Sequence, residues 1–254
     1  MMNYIRLDSV DSTNNQARRL LDEKAGLPDF TVITTEEQTA GRGQQGNSWE
    51  SERGKNLSFS IVCHPAFVHP AKQYVLSECI ALAVQRALKN VLKSKGEEEN
   101  AEKVSVKWPN DIYYGDKKIS GTLIECDLMG KSVVNCIIGT GVNVNQQRFV
   151  SDAPNPISLY NIIRCESDRE GLLNDILKQF YAMYEDVKQG KAGDIHSIYL
   201  QSLYRKDGRS YEFIDENGRF KAQIHDVEPS GRMILLTDDG ERRRYEFKEV
   251  KFVL

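Results

Sequence analysis

The sequence predicts an α+β protein, with a mixed β-sheet flanked by helices and a small β-barrel at its C-terminal end. Two observations predict this class. Segments with strand and helix periodicity alternate through residues 1–204 without an internal repeat. After Tyr204 the helical periodicity stops, and short apolar segments separated by turn residues fill the last fifty residues or so, about the size of a small barrel. We therefore divide the chain into a larger domain at 1–204 and a smaller domain at 205–254.

Apolar spacing and turn residues justify the elements in chain order. A strand at Tyr4–Leu7 leads into a helix from Asp11 to about Lys24, because polar residues that cap helices stand at its start. Helical spacing over Tyr74–Leu92 predicts a core helix, whereas the charged segment Lys93–Lys103 predicts a solvated connector. The other expected elements are strands at Thr31–Glu36, Leu57–Cys63, Ile112–Tyr114, Ile119–Ile124 and from Ile137, an irregular loop over 146–165, helices over 167–189 and Asp194–Leu203, and barrel strands at Ser210–Ile214, Phe220–Val227, Met233–Thr237 and Arg243–Phe247.

Composition and charge narrow the possible functions. The formal net charge of −3 argues against a broad attraction to nucleic acids or membranes. No apolar stretch has the length of a membrane span. The five cysteines lack C-x-x-C spacing, which favours reduced thiols and a cytoplasmic protein. The four histidines are scattered, so that the sequence predicts no metal ligands from the protein itself.

The most informative segment is the run from Lys107 to Glu125, which is typical of a strand, a tight turn and a second strand. Such a hairpin can direct Lys107, Asp111 and Lys118 towards one place. Two cations beside a carboxylate suit an anionic reaction centre, such as a polyphosphate next to a carboxylate. Taken alone, the run fits a surface hairpin with solvated lysines equally well.

A glycine-rich loop follows the strand expected at Thr31–Glu36. Its glycines Gly41, Gly43 and Gly46 spell G-x-G-x-x-G, but no helix opens after them, which disfavours a dinucleotide-binding turn. A loop of this kind still lets backbone N–H groups approach an anion, and Arg42 within it suits a phosphate or carboxylate. A flexible surface loop is the alternative interpretation.

Two shorter segments complete the set. The run Asp11–Asn14 opens a helix, and it is typical both of an N-cap and of a helix N-terminus that faces a ligand. The run Ile137–Asn145 is typical of a buried strand that ends in closely spaced glycines and an amide. Those glycines indicate either a bulge or a place where a ligand lies against the sheet.

These four segments, in this order, resemble the biotin–protein ligase family over nearly the whole chain. The matching runs are Lys107–Asp111 with Lys118, Ser120, Gly121 and Glu125 downstream, Gly41–Gly43 with Trp49, Asp11–Asn14, and Gly139–Asn143. The resemblance implies a sheet like that of class II aminoacyl-tRNA synthetases and an SH3-like C-terminal module. It is closest to the short form of the family without an N-terminal DNA-binding domain, so we expect no binding to DNA.

The resemblance implies that the protein forms biotinoyl-5′-AMP from biotin and ATP, and then transfers biotin to a lysine of a biotin carboxyl carrier protein. ATP is expected as its Mg2+ complex. The expected catalytic residues are Lys118, Arg42, Lys107 and Asp111. The expected biotin-binding residues are Ser12, Thr13, Asn14, Gln38, Gly41, Arg42, Lys118, Gly121, Leu123 and Gly139. The expected ATP-binding residues are Arg42, Gly43, Gln44, Trp49, Lys107, Asn110, Asp111, Lys118 and Asn143.

The glycine-rich loop departs from the family pattern. Members of the family often carry further arginines after the first three residues, where this chain has Gln44, Gln45 and Asn47. An amide keeps hydrogen-bonding capacity but removes positive charge. We therefore expect an active loop that relies more on Arg42 and on backbone donors.

Three other functions compete with this one. A lipoate or octanoate ligase has related chemistry, but it is expected to lack the intact Lys107–Asp111 run together with the Gly41–Gly43 loop. A non-catalytic biotin-binding module would have no need for Lys118 and Arg42. A DNA-binding regulator is disfavoured by the acidic balance. We expect a monomer or a homodimer that pairs through the sheet of the larger domain, with no membrane association.

Overall fold

The structure is a computed structural model that describes residues 3–23 and 26–253. Within these residues, the larger domain contains seven strands and six helices. The strands are β1 (Asn3–Val10), β2 (Thr31–Gln38), β3 (Leu57–Cys63), β4 (Val104–Lys107), β5 (Asp111–Tyr114), β6 (Lys117–Met129) and β7 (Ser132–Val142). The helices are α1 (Thr13–Glu23), α2 (Tyr74–Ser94), α3 (Glu98–Glu102), α4 (Leu159–Ile163), α5 (Arg169–Lys188) and α6 (Ala192–Gln201).

The seven strands form one sheet in the order β1-β2-β3-β7-β6-β5-β4. Only the pair β1–β2 is parallel, and the other neighbours are antiparallel. The smaller domain is a five-stranded antiparallel sheet in the order β11-β10-β9-β8-β12. Its strands are β8 (Tyr211–Asp215), β9 (Gly218–Val227), β10 (Met233–Thr237), β11 (Arg242–Tyr245) and β12 (Lys251–Phe252).

Strand β3 explains how helices come to lie on both faces of the large sheet. All seven of its residues are buried, and its side chains alternate between the two faces of the sheet, each of which carries an apolar cluster. Phe59 and Ile61 join the main core with α2 and α5, whereas Val62 joins Ala17 of α1. Because α1 covers only part of its face, the rest of that face is left without a helix. The predicted α+β class, with a mixed sheet and an SH3-like C-terminal domain, is confirmed.

Three local expectations differ from the structure. The segment expected to be a solvated connector contains α3, which forms because Ala101 packs into the main core. The loop expected over 146–165 contains α4, which starts at a capping box formed by Ser158. Asp168 caps α5 by accepting a hydrogen bond from the Glu170 N–H, so this helix begins at Arg169 and not at residue 167, where the sequence predicts its start. The expected end of α1 at Lys24 lies outside the described residues, and the boundary at 204/205 stays a prediction.

The two domains meet around the turn between β4 and β5. The Trp108 indole N–H donates to the carbonyl oxygen of Gly231 at 2.9 Å, and the Trp108 ring lies 5.9 Å from that of Phe247. The carbonyl oxygen of Pro109 accepts from the hydroxyls of Tyr74 and Tyr199, at 2.9 and 2.8 Å. The smaller domain therefore holds the turn that leads into Asp111.

Gly231 of the smaller domain lies against the Tyr74 ring of the larger domain. It has a φ of +96°, and a Cβ atom there would lie 2.5 Å from the Tyr74 ring. Gly240 has a similar φ of +88°, but a Cβ atom there would meet nothing within 4 Å. A substitution at either position therefore strains the backbone in the same way. Only a substitution at Gly231 also brings a side chain against Tyr74 of the larger domain.

We therefore predict that Gly231→Ala lowers the free energy of unfolding by about 1–3 kcal/mol more than Gly240→Ala, since only the first forces Tyr74 to move. Urea denaturation of the two variants and the wild type measures the difference. Equal losses in both variants would show that the contact with Tyr74 contributes nothing.

Candidate active site

A cleft of about 570 Å³ lies on the part of the large sheet that α1 leaves open. Its floor is formed by β6 and β7, and its walls come from the start of α1, the loop after β2, the turn between β4 and β5, and the loop at 151–154. The lining residues include Ser12, Thr13, Asn14, Gln38, Arg42, Gly43, Gln44, Trp49, Asn110, Asp111, Lys118, Gly121, Leu123 and Gly139, all expected from the sequence.

Three glycines in the floor allow side chains to lie directly on the sheet. A Cβ atom on Gly139 would lie 2.0 Å from Asn14 Oδ1, and one on Gly141 would lie 2.3 Å from Trp49 Nε1. A Cβ atom on Gly121 would lie 2.9 Å from Lys118 Cε. Because Gly121 and Gly141 are direct neighbours across β6 and β7, the floor is flat where these side chains converge.

The start of α1 provides neutral hydrogen-bonding groups at one end of the cleft. The Thr13 N–H and hydroxyl donate to Gln38 Oε1 at 2.9 and 3.2 Å. The Ser60 hydroxyl on β3 lies 2.8 Å from Thr13 Oγ1 and 2.7 Å from Asn14 Oδ1. These groups suit an uncharged polar ligand such as a cyclic urea.

The glycine-rich loop is folded back on itself beside the cleft. The Gly43 N–H donates to the Asn47 carbonyl oxygen, and the Trp49 N–H donates to the Gly41 carbonyl oxygen at 2.9 Å. Gly41 is required by this fold of the loop, because a Cβ atom there would lie 2.5 Å from the Trp49 carbonyl oxygen. Gly41 does not itself line the cleft, although Gly43 and Gln44 do.

An ion pair occupies the other end of the cleft. Lys118 Nζ lies 2.7 Å from Asp111 Oδ2, with the side chains 31% and 25% exposed. The backbone of Lys118 is held on both sides by the loop after β7, since its N–H donates to the Asn155 carbonyl oxygen and its carbonyl oxygen accepts from the Ile157 N–H. The lysine is therefore fixed by β6 and by a second segment of the chain.

Besides Gly41, two other expected residues lie outside the lining of the cleft, Lys107 and Asn143. The Lys107 ammonium lies 5.0 Å from the Tyr113 ring centroid and 4.9 Å from that of Phe252. Burial lowers the pKa of Lys107 below its usual 10.5, and the charge of Asp111 opposes this shift only in part. Asn143 is buried and donates from Nδ2 to the Ile157 carbonyl oxygen at 3.1 Å. It thus holds the same loop that holds Lys118.

Several lining residues were not expected from the sequence. Phe247 reaches the cleft from the smaller domain, and Ser151 and Asp152 reach it from the loop after β7. Phe247 has no local signal in the sequence, because its place depends on how the two domains dock. Among the described residues, the carboxylates that line the cleft are Asp111 and Asp152. No group of three His, Cys, Asp or Glu in the described ranges 3–23 and 26–253 could hold a metal ion.

Residues 7–143 match the model of the biotin/lipoate A/B protein ligase family, which is just over half of the 254 residues. The chain belongs to this family. It is 29% identical over 243 residues to the bifunctional ligase/repressor BirA of Bacillus subtilis, covering 94% of this chain and 70% of that protein. It is 35% identical over 225 residues to biotin–protein ligase 2 of Arabidopsis thaliana, covering 84% of this chain and 64% of that protein.

Among solved structures, the chain is similar to the biotin protein ligase of Aquifex aeolicus in complex with biotin and ATP. The TM-score is 0.75 at 26% identity, and the match covers 100% of both chains. The likeness extends over both domains. The resemblance to the biotin–protein ligase family that the sequence predicts is therefore confirmed.

The burial of Lys107 yields a prediction that is independent of any ligand. Phe252→Ala should raise the pKa of Lys107 towards 10.5, because removing the ring lets water reach the ammonium. Lys251→Ala, on the same strand but exposed, should leave it unchanged. NMR titration of 13C-dimethylated lysines measures the value, and a wild-type Lys107 that titrates with the surface lysines would contradict it.

Proposed function

We propose that this chain is an ATP-dependent biotin–protein ligase that acts through a biotinoyl-adenylate. The observation that carries the proposal is the continuity of one cleft between two chemically different ends. Neutral donors and acceptors from Thr13 and Gln38 lie at one end, and the cation of Lys118 lies at the other. A ligand with a cyclic urea, an apolar tail and a terminal carboxylate matches this order of groups.

At the neutral end, biotin binds with its ureido ring against Ser12, Thr13 and Gln38. The bicyclic ring and the tail lie on the glycine floor, where Leu123 and the Trp49 ring supply apolar contact. The tail then directs the carboxylate to Lys118. Since the floor lacks side chains at Gly121, a flat ligand can approach the backbone closely.

In the first step, a carboxylate oxygen of biotin attacks the α-phosphorus of ATP, and pyrophosphate leaves with the electron pair of the broken P–O bond. Both reactants are anions, so their approach requires a fixed cation. Lys118 Nζ fills this role between the carboxylate and the α-phosphate. Asp111, 2.7 Å away, keeps the ammonium in place before the substrates arrive.

In the second step, the amine of the carrier lysine attacks the acyl carbon of the mixed anhydride. An amide bond forms, the acyl–oxygen bond breaks, and AMP leaves. The acceptor is a lysine of a biotin carboxyl carrier protein, whose side chain enters at the open side of the cleft. The reaction is complete when the amine has lost its proton to the surroundings.

The nucleotide lies against Gly43, Gln44, Trp49 and Asn110 on the side of the glycine-rich loop. ATP arrives as its Mg2+ complex, and the ion supplies charge neutralisation of the phosphates. Asp111 and Asp152 are the carboxylates that could contact it, which fits an ion carried mainly by the nucleotide. Lys107 contributes positive potential from behind the cleft, and Asn143 acts by holding the loop after β7.

A homodimer, if it forms, pairs through β1. The other edge of the large sheet is covered, because the Val106 N–H of β4 donates to the Ser202 carbonyl oxygen and the Val106 carbonyl oxygen accepts from the Tyr204 N–H. Within the described part of the chain no helix is long and apolar enough to cross a membrane. The absence of DNA binding and the cytoplasmic location stay predictions.

The central test is labelling of a carrier domain. With biotin, Mg·ATP and a biotin carboxyl carrier domain, the wild type should add one biotin to the carrier and release AMP. Lys118→Ala should slow this about 10²–10³-fold, because it removes the cation that brings two anions together. Mass spectrometry of the carrier and an AMP assay measure both products.

Lys117→Ala is the matched control, since Lys117 is exposed on the same strand and does not line the cleft. It should behave as the wild type does. No labelling and no pyrophosphate release by the wild type would contradict the ligase. A parallel reaction with lipoate and a lipoyl domain distinguishes a biotin ligase from a lipoate ligase, because only a lipoate ligase would label the lipoyl domain.

The glycine-rich loop yields a second prediction. Gln44 lines the cleft without a charge, so Gln44→Arg should strengthen the grip of the loop on the adenylate. We expect biotinoyl-AMP to dissociate about tenfold more slowly, as one additional charged hydrogen bond would give. Stopped-flow release of the adenylate measures this, and an unchanged rate would mean that charge at this position does not control retention.

A further inference from the structure

Glu125 on β6 connects the two parts of the site that bind different halves of the adenylate. Its carboxylate oxygens both accept from Arg42 of the glycine-rich loop, at 3.0 Å each. The same carboxylate accepts from Asn14 Nδ2 of α1 at 2.8 Å. Glu125 does not line the cleft, and its side chain is 34% exposed.

The amide of Asn14 is fixed in one orientation by these contacts. Its oxygen can only accept, so the single proton of the Ser60 hydroxyl points to it across 2.7 Å. Its NH2 group donates to Glu125 and, at 3.3 Å, to the Leu123 carbonyl oxygen. The amide oxygen packs against Gly139, where a Cβ atom would lie 2.0 Å away. Of the two acceptors on the NH2 side, the Glu125 carboxylate is the nearer and the charged one, so it contributes most to specifying this orientation.

We propose that Glu125 is a positioning residue, which holds Arg42 of the glycine-rich loop next to the cleft and orients the Asn14 amide in the pocket for the ureido ring. The part that concerns the ureido ring rests on the proposed function. The part that concerns Arg42 rests only on the geometry. Because one carboxylate bonds to both residues, the position of Arg42 in the loop depends on the orientation of the Asn14 amide at the start of α1.

A second ion pair on the same strand provides a direct comparison. Asp127, two residues further along β6, pairs with Arg18 of α1 at 2.7 Å, and its side chain is 35% exposed. Asp127 also accepts from Asn135 of β7. The two carboxylates thus share strand, exposure and the type of partner, but Asp127 touches neither the glycine-rich loop nor a residue that lines the cleft.

Glu125→Gln keeps the shape of the side chain and removes half of its accepting capacity. The amide has one oxygen for the three hydrogen bonds that two carboxylate oxygens now accept from Arg42 and Asn14. Its NH2 group then faces Arg42 or Asn14, which are donors themselves. We expect Arg42 to be released and the Asn14 amide to lose its fixed orientation. Asp127→Asn is the matched control, because it removes the same charge from the neighbouring pair of Asp127 with Arg18.

Two readouts test the two contacts separately. The first is the rate at which trypsin cuts the Arg42–Gly43 bond in the full-length protein without ligand, followed by mass spectrometry. The second is the Kd for biotin without nucleotide, measured by calorimetry. Glu125→Gln should speed the cut about tenfold and weaken biotin about tenfold, as the loss of a charged hydrogen bond predicts. Asp127→Asn should stay within about twofold of the wild type in both, because Asp127 bonds to Arg18 and Asn135 and to neither the glycine-rich loop nor Asn14.

The proposal is overturned if Glu125→Gln stays within twofold of the wild type in the trypsin experiment, or if Asp127→Asn changes both readouts as much. Glu125→Asp retains the charge, so it should bind biotin more tightly than Glu125→Gln does. If Glu125→Gln does not fold, the same two measurements on Glu125→Asp test the proposal. A wild type that binds no biotin would contradict the proposed function, and the trypsin experiment alone would then decide the role of Glu125.

Discussion

Three positions without side chains, Gly121, Gly139 and Gly141, are the constraint on which the site depends. They lie on neighbouring strands, and each accommodates a side chain that would collide with a Cβ atom. Asn14, Trp49 and Lys118 come from three different segments of the chain and meet only because the sheet beneath them is bare. The neutral pocket and the cation therefore belong to one cleft.

The two cations that line the described cleft, Arg42 and Lys118, are each paired with a carboxylate. Lys118 pairs with Asp111, and Arg42 pairs with Glu125, at distances of 2.7 and 3.0 Å. Each carboxylate restrains the side chain of its cation and holds that cation near the place where an anion would bind. Such prior arrangement is what electrostatic catalysis requires, because no reorganisation is then needed during the reaction.

The sequence predicts Lys118, Gly121 and Leu123 as site residues because the run from Lys107 to Glu125 resembles the ligase family. The structure brings all three to the cleft. The sequence does not predict features that depend on distant segments. Phe247 arrives through the docking of the smaller domain, Lys107 is covered by Phe252 of the last strand, and Glu125 gains its importance from contacts with two other segments.

The most direct test of this account is a crystal structure of the protein with a hydrolysis-resistant analogue of biotinoyl-AMP. The account predicts that the bicyclic ring lies on the Gly139–Gly141 floor, with the ureido group in hydrogen-bonding distance of Thr13 or Gln38. It also predicts that a phosphoryl oxygen lies in hydrogen-bonding distance of Lys118 Nζ. An analogue bound away from this floor, or a Lys118 side chain turned away from the phosphoryl group, would contradict it.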